Sequence, residues 1–117
     1  LMVVILAAFL SCNTDPSITL SPPSWIIGTW LIEQPGAGTF VFTSDNVIVT
    51  DALGVTKDFK ETYKLFTVVD TPGPDSYTIE IVEAETVFLF EKVTDTRFNY
   101  TVTIQGTASQ TVPFNKI

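Results

Sequence analysis

The sequence predicts an all-β protein, a small antiparallel up-and-down β-barrel or barrel-like meander of about eight strands. Two observations carry this prediction. From Gly28 onward, β-branched and aromatic residues come in short runs that are separated by turn residues. The runs 76–81 (SYTIEI) and 97–104 (RFNYTVTI) also alternate apolar with polar side chains, so each strand has one buried and one wet face.

The elements follow in chain order. Residues 12–24 mix Pro, Ser and Thr without periodicity, which is typical of a tether. A short helix or 3₁₀ turn is expected ahead of Gly28, because Ser21 can cap it and Pro22 or Pro23 can occupy its first turn. Strands are predicted at about 29–34, 38–43, 46–51, 60–69, 76–83, 86–93, 97–105 and 110–116.

The turns between these strands have their own chemistry. The sequences TSDN at 43–46 and TDT at 94–96 suit tight hairpins. The segment 70–76 (DTPGPDS) predicts a longer loop, since its two prolines cannot lie in the middle of a sheet.

One segment, 56–66, fits two secondary structures. Phe59, Tyr63 and Phe66 recur at helical intervals, whereas Phe59, Glu61, Tyr63 and Leu65 alternate as in a strand. We predict a strand from about residue 60, because an isolated ten-residue helix is marginal and finds little to pack on in a strand-dense chain.

Composition excludes several classes of function. The net charge is −7, and every charged residue lies at or beyond Asp15, so binding to nucleic acid by charge attraction is not expected. The chain has no histidine and a single cysteine, which excludes Ser-His-Asp and Cys-His catalysis and Cys- or His-rich metal sites. We therefore predict a protein that is not an enzyme, with no catalytic residue, no metal and no cofactor.

The N-terminal segment LMVVILAAFLSCNTD predicts export. Leu1 to Leu10 is too short to span a bilayer but matches the apolar core of a secretory signal. Phe9, Leu10, Ser11 and Cys12 resemble the lipobox of bacterial lipoproteins. The resemblance implies that residues 1–11 are a signal peptide and that Cys12 is lipidated, which would anchor the protein to the outer membrane, on its periplasmic or surface-exposed face. The alternative is that Cys12 is an ordinary free thiol.

The segment IIGTW at 26–30 places a short helical turn directly before a Gly-x-Trp strand. This arrangement resembles the lipocalins. The segments GTFVFTSDNVIV and FEKVTDTRFNYTV are similar to lipocalin-like domains of small lipoproteins from Bacteroidetes-type bacteria. The resemblance implies a domain at 25–117 in which Trp30 closes the barrel floor and Gly28 lets the chain turn sharply. The family often stacks a basic residue of the last strand on that ring, and here the last strand offers only Lys116.

Large apolar side chains that share strand faces are the candidate interior. They are Trp30, Phe40, Phe42, Tyr77, Ile79, Phe98 and Tyr100. The resemblance implies that they line a pocket for a small apolar ligand. The alternative is a filled core, which a small domain without a disulfide needs. In that case we expect an envelope protein–protein interaction or structural domain, with its contacts on the loops around Pro35, 51–54 and 72–75.

Overall fold

The computed structural model describes residues 18–32 and 38–117, so the predictions for residues 1–11, Cys12 and Pro35 lie outside the described residues. A 3₁₀ helix, Ser24–Ile26, precedes the sheet, and a single helical turn, α1, covers Phe59–Thr62. The strands are β1 Gly28–Ile32, β2 Thr39–Phe42, β3 Val47–Thr50, β4 Thr56–Asp58, β5 Val68–Pro72, β6 Ser76–Ile81, β7 Thr86–Thr94, β8 Arg97–Ile104, β9 Thr107–Ala108 and β10 Val112–Lys116.

These ten strands form one antiparallel sheet in the order β4-β3-β2-β1-β10-β8-β7-β6-β5, with β9 paired to the far end of β8. The strand β10 lies between β1 and β8 and so joins the two halves of the chain. Sequential strands are neighbours except β4 with β5 and β9 with β10. Because β4 and β5 are the two edges of the sheet and do not pair with each other, the sheet is a curled half-barrel that is open along that seam. The predicted fold class, a barrel-like antiparallel meander preceded by a short helix, is confirmed.

The strand predicted at 60–69 is wrong. After β4 the chain makes the helical turn α1, and the next strand begins only at Val68. The cause is a cap: the Asp58 carboxylate accepts hydrogen bonds from the backbone N–H of Lys60 at 2.9 Å and of Glu61 at 3.3 Å. Phe59 is then buried in the core, which gives the turn the packing partner that an isolated helix would lack.

The loop predicted at 70–76 is shorter than expected, because β5 continues to Pro72, which pairs with Tyr77. Proline is tolerated there because β5 is an edge strand, so the missing N–H need not serve a second neighbour. The tight turns predicted at 43–46 and 94–96 are both present, the first closed by a 3.0 Å bond from the Thr43 N–H to the Asn46 carbonyl.

The described part of the predicted tether packs along β5. Ile18 and Leu20 are buried and belong to the hydrophobic core. The Ser21 N–H donates to Asp70 Oδ2 at 2.7 Å, and the hydroxyl of buried Tyr77 donates to the same oxygen at 2.9 Å. Residues of this segment thus fill the interior on the β5 side of the half-barrel.

Trp30 lies on the central strand β1 and belongs to the buried core. Its side chain is completely buried, its indole Nε1 donates to the Ile26 carbonyl at 2.7 Å, and its ring centroid lies 4.7 Å from that of Phe98. Lys116 Nζ lies 5.6 Å from the centroid of the Trp30 ring, within cation–π range. Gly28 has φ +134°, and a Cβ there would stand 3.0 Å from Lys116 Cε, so this tight approach favours glycine.

Candidate functional site

The predicted interior residues do share the inner face of the half-barrel. Six of the seven are at most 3% exposed and Tyr100 is half-buried; the six are Trp30, Phe40, Phe42, Tyr77, Ile79 and Phe98. Their role in binding a ligand stays a prediction.

Most of these side chains lie in a packed aromatic core that we call the floor: Trp30, Phe42, Tyr77, Phe90 and Phe98. The rings of Phe42 and Phe90 are 5.1 Å apart between centroids, and those of Phe90 and Phe98 are 5.6 Å apart. Both pairs meet nearly at right angles, which is a favoured aromatic geometry. The floor is therefore a core of aromatic rings that pack against one another.

A cavity of about 170 Å³ lies beside the floor, between α1 and the inner face of the sheet. It reaches solvent at the exposed residues Lys57 and Thr62. We call it the α1 cavity. Its lining residues are Phe40, Val49, Lys57, Phe59, Thr62, Tyr63, Phe88 and Tyr100. Only Phe40 and Tyr100 belong to the predicted set.

Strand register sets one wall of the α1 cavity. Phe40 pairs with Val49 on the neighbouring strand, and Val49 pairs with Lys57 on edge strand β4. Directly paired residues project from the same face of a sheet, so Lys57 faces the interior although it stands on an exposed strand. These paired residues form a row across the sheet, which continues from Phe40 through Trp30 to Lys116. The row crosses five strands and has a lysine at each end.

The helical turn α1 sets the other wall. Phe59, Thr62 and Tyr63 stand at positions i, i+3 and i+4 and therefore lie on one face. The ring of Phe59 is 5.0 Å from that of Phe88 and 5.4 Å from that of Tyr63, between centroids. The helical spacing of Phe59 and Tyr63 was the signal in the sequence that could have identified this wall.

The α1 cavity is mainly apolar and has one charged lining residue, Lys57. Within residues 18–32 and 38–117 no carboxylate forms an ion pair with Lys57. The adjacent carboxylate, Asp58, is engaged by α1 and by Asn46 Nδ2, which donates to it at 2.8 Å. Lys57 therefore makes the mouth of the cavity locally positive in a protein of net charge −7.

Two tyrosine hydroxyls add polar groups to the lining. Burial raises the pKa of Tyr63 above its usual value. Burial, with a smaller contribution from the charge of Tyr63, raises the pKa of Tyr100 to about 12. Both phenols are consequently neutral at physiological pH and can donate hydrogen bonds.

The chain matches no protein-family model, no curated protein and no solved structure. In the described part of the chain, no helix is long and apolar enough to cross a membrane. The same residues contain no cluster of three or more His, Cys, Asp or Glu side chains that could hold a metal ion. The case for a function therefore rests on the α1 cavity and on the residues of the N-terminal segment.

Proposed function

We propose that this protein is a membrane-anchored, lipocalin-like lipoprotein that binds a small apolar molecule in the α1 cavity. The observation that carries the proposal is the cavity itself: about 170 Å³, with five aromatic residues among its eight lining residues and an opening to solvent. An apolar cavity of about 150 Å³ is large enough to bind benzene. The α1 cavity has room for a molecule of similar size.

The floor supports the lipocalin part of the proposal. A 3₁₀ helix leads through Gly28 into the strand that carries Trp30, and Lys116 of the last strand lies over the Trp30 ring. This is the arrangement that the Gly-x-Trp resemblance implies. In the proposal these residues pack the centre of the half-barrel, and the α1 cavity is the part of the interior that takes the ligand.

Binding is tested by calorimetric titration of the whole chain, held in phosphatidylcholine nanodiscs, with benzyl alcohol as a neutral probe and empty nanodiscs as the reference. We expect saturable binding that Val49→Phe abolishes, because the larger side chain occupies the cavity. Ile48→Phe is the matched control, since Ile48 precedes Val49 and points to the opposite face of β3. The absence of saturable binding to the unaltered chain contradicts the proposal.

The anchor is tested on protein that a bacterial host produces with the N-terminal segment intact. We expect an intact mass that corresponds to a chain starting at Cys12 and carrying a diacylglycerol, and partition into detergent. Two such acyl chains suffice for stable anchoring, at roughly 0.8 kcal/mol per buried methylene. An unmodified chain that retains residues 1–11 contradicts the anchor.

One observation favours a second function, protein–protein interaction in the cell envelope. Leu53 is 90% exposed and Leu65 is 85% exposed. Leu53 is in the loop after β3, and strand register places this loop at the same end of the sheet as the turn after β6. The turn after β6 contacts Thr67, which is two residues from Leu65. Both exposed leucines therefore lie near the same end of the sheet. A photo-crosslinking residue at position 53 should then give one discrete product in cells, whereas one at exposed Val93 should not. Identical patterns at the two positions would remove this candidate.

A further inference from the structure

We propose that the ligand of the α1 cavity is a compact aromatic carboxylate, with its ring between the aromatic walls and its carboxylate at Lys57. This inference rests on the proposed function, binding of a small apolar molecule, and adds the chemical class of that molecule. Size, wall geometry and charge support it separately.

The size of the cavity favours a single ring over a long acyl chain. Pockets for drug-sized ligands measure about 300–1,000 Å³, whereas the α1 cavity measures about 170 Å³. A benzene-sized group needs about 150 Å³. A phenyl group with a short side chain therefore fits inside, and a long acyl chain would leave most of its length in water.

The walls favour an aromatic group. Phe59, Tyr63 and Phe88 form a cluster whose centroids are 5.0 to 6.1 Å apart, and Phe40 and Tyr100 form a second pair at 5.1 Å. Aromatic pairs prefer centroid distances of about 4.5–7 Å, in edge-to-face or offset stacked geometry. A flat ring placed between the two groups can form such pairs on both sides, which an aliphatic chain of equal size cannot.

The charge at the mouth favours an anionic head. Lys57 lies where the cavity opens, and no carboxylate of the described residues pairs with it. An ammonium–carboxylate hydrogen bond is stronger than a neutral one. Because the whole protein carries a net charge of −7, attraction of an anion has to come from this local positive group.

The test compares three probes of similar size on the whole chain in phosphatidylcholine nanodiscs: 3-phenylpropionate, 3-phenylpropionamide and hexanoate. Calorimetric titration should show that 3-phenylpropionate binds at least about tenfold more tightly than its amide and than hexanoate, a difference that corresponds to about 1.4 kcal/mol. The preference over the amide should fall as salt is raised, because Lys57 is exposed.

Variants assign the preference to Lys57. Lys57→Met should bind the carboxylate and the amide equally, while Lys57→Arg should keep the preference. Lys64→Met is the matched control, because Lys64 follows α1, pairs with Glu61 and does not line the cavity. Unchanged thermal unfolding of each variant shows that the effect is not a loss of fold.

Four outcomes overturn the inference. Equal binding of the carboxylate and the amide rules out an anionic ligand, and a preference that survives Lys57→Met rules out Lys57 as the group that binds the carboxylate; in both cases the proposed function stands. If hexanoate binds as tightly as 3-phenylpropionate, the claim that the ligand is aromatic fails, and the anionic head is unaffected. If none of the probes, including neutral benzyl alcohol, binds saturably, the proposed function fails as well.

Discussion

The floor and the α1 cavity lie on the same row of paired strands and yet have opposite packing. At the floor, Trp30 is completely buried, is hydrogen-bonded through its indole and has Lys116 over its ring. Two and three strands further along the row, Val49 and Lys57 border a cavity of about 170 Å³. The centre of this small sheet is thus packed by its own side chains, whereas the part next to edge strand β4 borders space that a ligand can occupy.

The open seam explains the difference. On the β5 side, Ile18 and Leu20 fill the interior, whereas on the β4 side the one element of residues 18–32 and 38–117 that covers the interior is the one-turn helix α1. The strand β4 has three residues and an unpaired edge. A short edge strand with one helical turn provides fewer buried contacts than the central strands, so local opening should cost least here.

The largest loss of stability is expected when the Trp30 ring of the floor is removed. Trp30→Ala removes a completely buried ring, so we expect unfolding free energy to fall by about 3–5 kcal/mol. Urea denaturation of the whole chain measures this loss. A change below about 1 kcal/mol would mean that Trp30 is not a core residue, and the contrast between the two regions would disappear.

A smaller difference in stability is expected between two tyrosine variants, one in the floor and one at the cavity. Tyr77→Phe removes a 2.9 Å bond to the Asp70 carboxylate, and a bond to a charged group contributes about 1.5–3 kcal/mol. Tyr100→Phe should change stability by less than about 0.5 kcal/mol, since its hydroxyl makes no hydrogen bond to the described residues. Chemical denaturation of both variants tests the pair, and equal losses would contradict it.

The smallest expected change in stability is that of Val49→Phe, and it contrasts with the loss expected for a similar substitution in the filled interior. Val49→Phe adds volume next to existing space, so we expect stability to stay within about 1 kcal/mol or to rise, as cavity-filling substitutions often do. Ile79→Phe adds a ring to a completely buried position of the filled interior and should cost about 1–3 kcal/mol. If Val49→Phe proves as costly as Ile79→Phe, the α1 cavity does not exist in solution.

The sequence predicted those features that depend on local pattern. Strict alternation identified β6 and β8, and the Gly-x-Trp segment identified the floor residue Trp30. The segment after Asp58 was missed because helix and strand periods overlap there, and the choice depends on burial of Phe59 against Phe88, which is distant in the chain.

Most of the candidate site could not be read from the sequence for the same reason. Lys57 looks like a solvated residue on an exposed strand, and only its pairing with Val49 turns it toward the interior. That pairing depends on the register of β3 against β4, which no local pattern near Lys57 specifies. The seven predicted residues are buried or half-buried, but no local pattern indicates which of their rings border empty space.

The most direct test of the account follows amide and indole NMR signals of the whole chain in nanodiscs during titration with 3-phenylpropionate. We predict saturable shifts at the backbone amides of Lys57, Phe59 and Tyr63 and an unchanged indole N–H signal of Trp30. Shifts that are largest at the Trp30 indole, or that occur only in the exposed loops at Leu53 and Leu65, would contradict the claim that this half-barrel binds its ligand beside α1.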